Sequence, residues 1–237
     1  MEQWMKDFED LRDRYAGKEI WVLGAGPSLD DFPDGFFDDK ISITVNGSFL
    51  GIPNATYFHF YHGVFIPWVI KLNPDFLGKC IIAWPIGEIE EFKNEEWWQK
   101  IKNEPIYMDR PPGPSTKDDF KRVVSSIIKK ERCEYRMNGT VAHLAIEIAA
   151  VLGAKKITVI DCKGVASKYK GHAQRGRMSE FYKEIPGYIY SLKEQTFDPY
   201  YIIPLGISWL AGIFGKYGIE VRRFYYGKGY EEIEVIK

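Results

Sequence analysis

A mainly parallel, doubly wound α/β sheet is the fold class that this 237-residue sequence predicts. Three observations carry the prediction. The run Ile20-Trp21-Val22-Leu23 stops abruptly in Gly24-Ala25-Gly26-Pro27-Ser28, a strand-to-helix turn early in the chain. The segment "NGTVAHLAIEIAAVLGAKKITVIDCKG" sets an apolar helix, a Gly153 stop and an apolar strand in series, which is half of a βαβ unit. Near the end, "ISWLAGIFGKYGIEVRRF" repeats the same helix–glycine–strand order.

The remaining elements follow along the chain. Residues 1–16 space Trp4, Phe8, Leu11 and Tyr15 three or four apart, which predicts an amphipathic helix. After the first strand and its glycine turn, Ser28 and the acidic pair Asp30-Asp31 suit the first turn of a following helix. "ISITV" is a second strand ending in Asn46-Gly47-Ser48, "ATYFHFY" a third ending at His62-Gly63, and "KCIIAW" a fourth. An aromatic, helix-like segment lies between the third and the fourth. Residues 88–135 hold the turn cluster "DRPPGPSTKDDF" and two short helices, and read as a lid or insertion within one α/β domain spanning 1–237. The apolar stretch 200–214 is interrupted by Pro204, Gly206 and Gly212, so it reads as a buried or interfacial segment and not as a membrane span.

Composition narrows the partners. Net charge is −1, with basic and acidic residues interspersed, so no polybasic field argues for nucleic acid or an anionic membrane. The N-terminal stretch is charged throughout, unlike a signal peptide. Cys80, Cys133 and Cys162 are odd in number and widely spaced, which fits a reduced, cytoplasmic setting better than a disulfide framework. Aromatic residues make up 16% of the chain; beyond the core, Tyr and Trp suit sugar and base pockets, so the excess favours a ligand-binding protein.

In doubly wound sheets ligands sit outside the carboxyl ends of the strands. Here those ends carry Gly24-Ala25-Gly26-Pro27-Ser28, Asn46-Gly47, His62, and Asp161-Cys162-Lys163. The glycine turn lacks the third glycine of a dinucleotide fingerprint and the Gly-Lys-Ser/Thr of a P-loop. It is either a plain tight turn or a place where bare N–H groups meet a phosphate. Asn46-Gly47 is likewise either a turn dipeptide or an amide placed to recognise a base or ribose. His59 and His143 read as packed within a strand and a helix, while His62 and His172 are the candidates for site roles. His172 lies in the loop "SKYKGHAQRGR", which with Lys163, Lys168, Tyr169, Lys170, Arg175 and Arg177 is either a solvated basic loop or a lid that neutralises a departing phosphate. No Asp-x-Asp and no paired carboxylate stands at a strand end, so no metal site is read.

Taken together, "VLGAGPSLDD", "ITVNGSF", "YFHFYHGVF" and "NGTVAHLAIEIAAVLGAKKITVID…GHA" resemble a superfamily that includes the bacterial family 42 sialyltransferases, the flagellin-glycosylating Maf proteins and the archaeal MptE-like pterin diphosphokinases. The resemblance runs in order over most of the chain, with 88–135 unmatched. It implies a Rossmann-like GT-A variant that takes a CMP-activated sugar without a metal or other cofactor. It places Gly24, Gly26, Pro27 and Ser28 along the donor nucleotide, with Asn46, His62 and Asn138, Gly139 and Thr140 as further donor contacts; Ala25, Gly47 and Asp161, at the same strand ends, join them as donor-site candidates. Tyr169 falls near a tyrosine that stabilises the leaving phosphate, and His172-Ala173 matches the His-Ala pair of Maf-type relatives. Lys163 stands where many relatives have an aspartate. The sialyltransferase catalytic histidine would fall near Pro199 or Tyr200, and none is there.

The resulting expectation is a cytoplasmic glycosyltransferase that moves a nonulosonate-type sugar from a CMP donor to a hydroxyl acceptor such as a glycan. Its catalytic residues would be His172, Tyr169 and Lys163. Two alternatives stand beside it. One is an MptE-like 6-hydroxymethylpterin diphosphokinase; against it, Asn46 and His62 occupy the places where that branch has metal-holding acids. The other is a nucleotide-binding protein without catalysis. A homo-oligomer is compatible with all three.

Overall fold

The computed structural model describes residues 6–60, 63–84, 94–109, 116–132, 141–160, 162, 199–227 and 230–236. They build one nine-stranded sheet in the order β1-β6-β5-β4-β3-β2-β7-β8-β9. The strands are β1 (Lys6–Asp7), β2 (Glu19–Leu23), β3 (Ser42–Val45), β4 (Tyr57–Phe60), β5 (Cys80–Trp84), β6 (Ile106–Asp109), β7 (Lys156–Ile160), β8 (Glu220–Gly227) and β9 (Tyr230–Val235). Every neighbouring pair from β1 to β8 is parallel, and β9 closes the far edge antiparallel to β8. This is the Rossmann-like, doubly wound fold class that the sequence predicts.

Helices cover both faces, which is why the central strands are buried along their length instead of alternating with solvent-facing residues, and Ser42, Thr44, His59 and Thr158 are the polar side chains buried within them. One face carries α3 (Lys117–Lys129), α4 (Val141–Val151) and α5 (Pro199–Gly215), packed on Ile20, Val22, Ile43, Val45 and Val159. The other carries α1 (Ile66–Leu72), α2 (Glu96–Ile101) and a series of short 3-10 turns, packed on Trp21, Leu23, Phe58, Phe60 and Ile82. The two sets alternate along each strand as the pleat requires.

Three local arrangements differ from the sequence reading or explain it. Residues 6–16 are not an amphipathic helix: Lys6 and Asp7 join the sheet edge, Phe8–Leu11 form a 3-10 turn, and Asp13 takes φ 59°. The helical spacing is real, since Phe8, Leu11 and Tyr15 face the core. The backbone is diverted because Asp13, Tyr15 and Gly17 donate their N–H groups to the carbonyls of Val151, Leu152 and Gly153, at 2.9, 2.8 and 2.9 Å. Those carbonyls end α4 and would otherwise lack partners.

Second, 88–135 contributes β6, hydrogen-bonded between β1 and β5, and α3, whose Phe120, Val123, Val124 and Ile127 are buried in the core. Thr116 and Asp119 open α3 with a reciprocal capping box.

Third, α5 runs unbroken from Pro199 to Gly215, through Pro204, Gly206 and Gly212. Gly206 is there for His143. A Cβ on it would stand 2.5 Å from the imidazole Cε1 and Nε2, so only glycine lets the ring lie against α5. Phe120 meets the same ring edge-on at 5.7 Å. His143 is thus a packed core residue, as its place on an apolar helix suggests.

Candidate functional site

The topology fixes where a ligand belongs. From β2 the chain winds through β3, β4 and β5 to β6 on one side, then returns to lay β7 and β8 on the other. The switch point therefore lies between β2 and β7, and the crevice opens at their carboxyl ends. Gly24 donates its N–H to Ile160 O at 2.9 Å, closing the β2–β7 ladder at its last rung. Beyond that rung the two strands part, one into Ala25-Gly26 and the other toward Cys162. Cys162 is buried and its thiol donates to Ile160 O at 3.4 Å.

Gly24 is buried, and Ala25, Gly26, Pro27 and Ser28 are half-buried. The helix that follows is a five-residue 3-10 turn, Pro27–Asp31, capped by Gly26 with no side-chain hydrogen bond. Too few peptides are aligned there for a macrodipole of the usual size. What the turn does offer is main-chain donors: the N–H groups of Ala25 and Gly26 have no hydrogen-bond acceptor among the described residues. Gly26 sits at φ −78°, ψ 165°, extended backbone open to any residue, so a positive φ is not its reason to be glycine.

One strand over, β3 ends in a second unusual feature. Asn46 takes φ 53°, in the left-handed region that side-chain-bearing residues rarely enter. Its side-chain Oδ1 is buried without a hydrogen-bond partner among the described residues. Gly47, next to it, is buried. A left-handed backbone and an orphaned polar atom on one strand-end residue make Asn46 a candidate for ligand contact.

The sequence reading missed the residue that joins these two strand ends. Ser48 is fully buried. Its hydroxyl accepts the Val45 N–H at 2.8 Å and lies 2.8 Å from Leu23 O and 2.9 Å from Val45 O. The only sequence signal was a serine three residues past the end of an apolar strand.

On the next strand His59 is fully buried, with Nδ1 2.9 Å from Ile81 O, which makes Nδ1 the protonated nitrogen. Like His143 it is a packed residue. Burial pushes the Cys80 thiol well above its ordinary value, so that thiol is inert packing. His62, Asn138, Gly139, Thr140, Asp161, Lys163, Tyr169 and His172 lie outside the described residues. The ends that flank them, however, share one edge. Phe60 ends β4, and Ile160 ends β7. Val141 starts α4, whose other end turns directly into β7; eleven residues at about 1.5 Å each return its start to the carboxyl edge.

Among the described residues, no group of three His, Cys, Asp or Glu side chains is placed to hold a metal ion. No helix among them is long and apolar enough to cross a membrane. No family model and no curated protein matches the chain. Among solved structures it is similar to the sialyltransferase CstII from Campylobacter jejuni, in complex with the substrate analogue cytidine-5'-monophosphate. Identity there is 14%, over 88% of this chain and 80% of that one, with a TM-score of 0.43.

Proposed function

We propose that the chain is a glycosyltransferase that moves a nonulosonate-type sugar from a CMP-activated donor to a hydroxyl acceptor. The observation that carries the reading is the pairing, on adjacent strand ends, of open main-chain donors at Ala25 and Gly26 with the strained Asn46 and its orphaned Oδ1. Anionic oxygens suit the first, and an N–H or O–H of a base or ribose suits the second. A nucleotide presents both groups.

In the transfer, the bond between the sugar's anomeric carbon and the phosphate oxygen breaks, and that oxygen keeps the electron pair. The sugar passes through an oxocarbenium-like state, and the acceptor oxygen forms the new bond as a base takes its proton. Lys163 follows Cys162 directly in the chain and, with Tyr169, is assigned to the leaving phosphate. His172 is assigned as the base. Asn46, His62, Asn138, Gly139, Thr140 and Asp161 are assigned to donor recognition. The reaction needs no divalent metal.

The test is a thermal-shift panel of CMP, CDP, UDP, GDP, AMP and ATP, each with Mg²⁺ and with EDTA. A ligand at a hundredfold excess over its Kd adds about 2.7 kcal/mol. For a chain of this size that is a rise of roughly 5–10 °C. Stabilisation by CMP or CDP that survives EDTA is the expected result. Stabilisation by ATP alone, and only with Mg²⁺, would replace this reading with the diphosphokinase.

A further inference from the structure

We infer that the end of the β8–β9 hairpin overruns the sheet to form the sugar-side wall of the ligand crevice, with Tyr226 as its contact residue. This deepens the glycosyltransferase reading above and rests on it. The strand registers set the level of each end. Leu23 pairs with Ile160, the last residue of β7. On the far side of β7, Val159 pairs with Arg223, so Phe224 stands level with Ile160. β8 nevertheless runs on to Gly227. Residues 225–227 therefore stand past the level where β2 and β7 end, a reach of about 10 Å at roughly 3.3 Å per residue.

That extension is paired, not loose. Tyr225, Tyr226 and Gly227 pair with Glu232, Glu231 and Tyr230 of β9, so a two-stranded ribbon projects beyond the carboxyl edge. In the sheet β7 lies between this ribbon and β2, and β7 has already stopped. Among the described residues no strand borders 225–227 on the crevice side. An open strand edge presents peptide N–H and C=O groups to whatever lies beside it.

The turn after β2 leads to the same place. Residues 27–31 pack against β8. The ring of Phe32, which caps that turn, lies 5.9 Å from the Phe224 ring, and the Trp21 ring lies 5.3 Å from it. Phe224 thus ties one face of β8 to the turn that carries the open main-chain donors. Residues two apart on a strand share a face, which places Tyr226 on the Phe224 face, one repeat farther out.

The strand order then assigns the hairpin its part of the ligand. Asn46, at the end of β3, lies on one side of β2, and β7 and β8 lie on the other. With the phosphate at Ala25 and Gly26 and the nucleoside toward Asn46, the sugar on the phosphate's other side leads toward β7 and the hairpin. A sugar has both apolar C–H faces and hydroxyls. Tyrosine, which joins an apolar ring to a hydroxyl, suits that mixture, and so does an open peptide edge.

The test is calorimetric titration of the full chain with CMP and with CMP-N-acetylneuraminate, in the parent, Tyr226→Ala and Tyr226→Phe. The parent is expected to bind the sugar nucleotide at least tenfold more tightly than CMP. Tyr226→Ala is expected to hold CMP within twofold of the parent while losing most of that preference. Tyr226→Phe, which keeps the ring, is expected to recover part of it. If the alanine chain does not fold, Tyr226→Leu, which keeps apolar bulk on the strand, is measured against the same criteria. A residue that only supports the fold would weaken both ligands together, and that outcome overturns the inference. A Tyr226→Ala protein with the parent's full preference overturns it too, as does a parent with no preference. In each of those cases CMP binding by the parent leaves the nucleotide reading standing, whereas a parent that binds neither ligand sinks both.

Discussion

Asn46→Gly separates a residue kept for a ligand from one kept for the fold, because the two roles give opposite signs in stability. Asn46 holds φ 53°, and its Oδ1 is buried with no hydrogen bond among the described residues. Left-handed backbone costs an ordinary L-residue about 1–2 kcal/mol, and asparagine somewhat less. An unsatisfied buried oxygen costs about 1–3 kcal/mol. Glycine removes both. Against this, glycine adds about 0.5–1 kcal/mol of chain entropy to be lost on folding, and the packing of a half-buried side chain disappears. The balance is a gain of about 1 kcal/mol, which at this chain length raises Tm by roughly 2–4 °C.

The assay is differential scanning fluorimetry of parent, Asn46→Gly and Asn46→Ala, each alone and with a hundredfold excess of CMP. Alanine removes the orphan but keeps the strained backbone, so the expected stability order without ligand is Gly, then Ala, then Asn. The CMP-dependent rise expected of the parent should shrink in both variants. A loss of about 1 kcal/mol or more in Asn46→Gly would refute the reasoning, since the side chain would then be holding the fold together. A CMP shift of full size in both variants would also refute it, by removing Asn46 from the site.

Two further predictions concern the scaffold. Gly153 takes φ 92°, and a Cβ there would lie 2.8 Å from Ala16 Cα and 3.0 Å from Ala16 N, both backbone atoms; Gly153→Ala is expected to cost about 3 kcal/mol, seen as a lower urea midpoint, with CMP binding unchanged in the folded protein. A loss under about 0.5 kcal/mol would show that the 6–16 segment detaches from α4 without cost. Thr116 and Arg122 hold the Asp119 carboxyl down at about 2, with the Thr116 main-chain N–H the largest cause. A depressed acid stabilises above its unfolded pKa and loses that contribution as pH falls through its folded one. Asp119→Asn is therefore expected to be less stable than the parent at neutral pH, with the gap closing from about pH 4 downward as the parent's carboxylate takes up its proton. A gap that persists unchanged at pH 2 would refute the cap assignment.

How much of the fold the sequence discloses depends on whether an element's cause is local. β2, β3, β4, β5 and β7 were legible because a strand buried on both faces is mostly apolar and β-branched or aromatic, and a short run of that kind bounded by turn residues suits little else. The last turn of α4 was legible because Gly153 announces its positive φ. β1 was not, since Lys6-Asp7 has no strand character and is a strand only because β6 lies beside it. The diversion of residues 6–16 depends on carbonyls at 151–153, some 140 residues away. The continuity of α5 through Gly206 was hidden in the same way: that glycine looks like an interruption until His143, on another helix, is seen to fill the space of its missing Cβ. The β8–β9 hairpin has a local cause in "YYGKGYEEIEV", yet the sequence analysis stopped at β8 and did not read it.

The same division applies to the site. A parallel sheet delivers every strand's carboxyl end to one edge, so the order of apolar runs is enough to gather Gly24, Asn46, His62 and Asp161 at one place on paper. What the order of residues cannot supply is the state of each group once it is there. Asn-Gly reads equally well as a turn and as a recognition amide, and the two readings share the same conformation. They differ only in whether Oδ1 is left without a partner, and that depends on the contacts Asn46 does not make. Two residues on, the Ser48 hydroxyl lies 2.8 Å from Leu23 O on β2, a tertiary contact that the order of residues does not announce. A left-handed residue whose polar atom is left without a partner at a strand end is a candidate for ligand contact, and the Asn46→Gly and Asn46→Ala pair decides between the two readings.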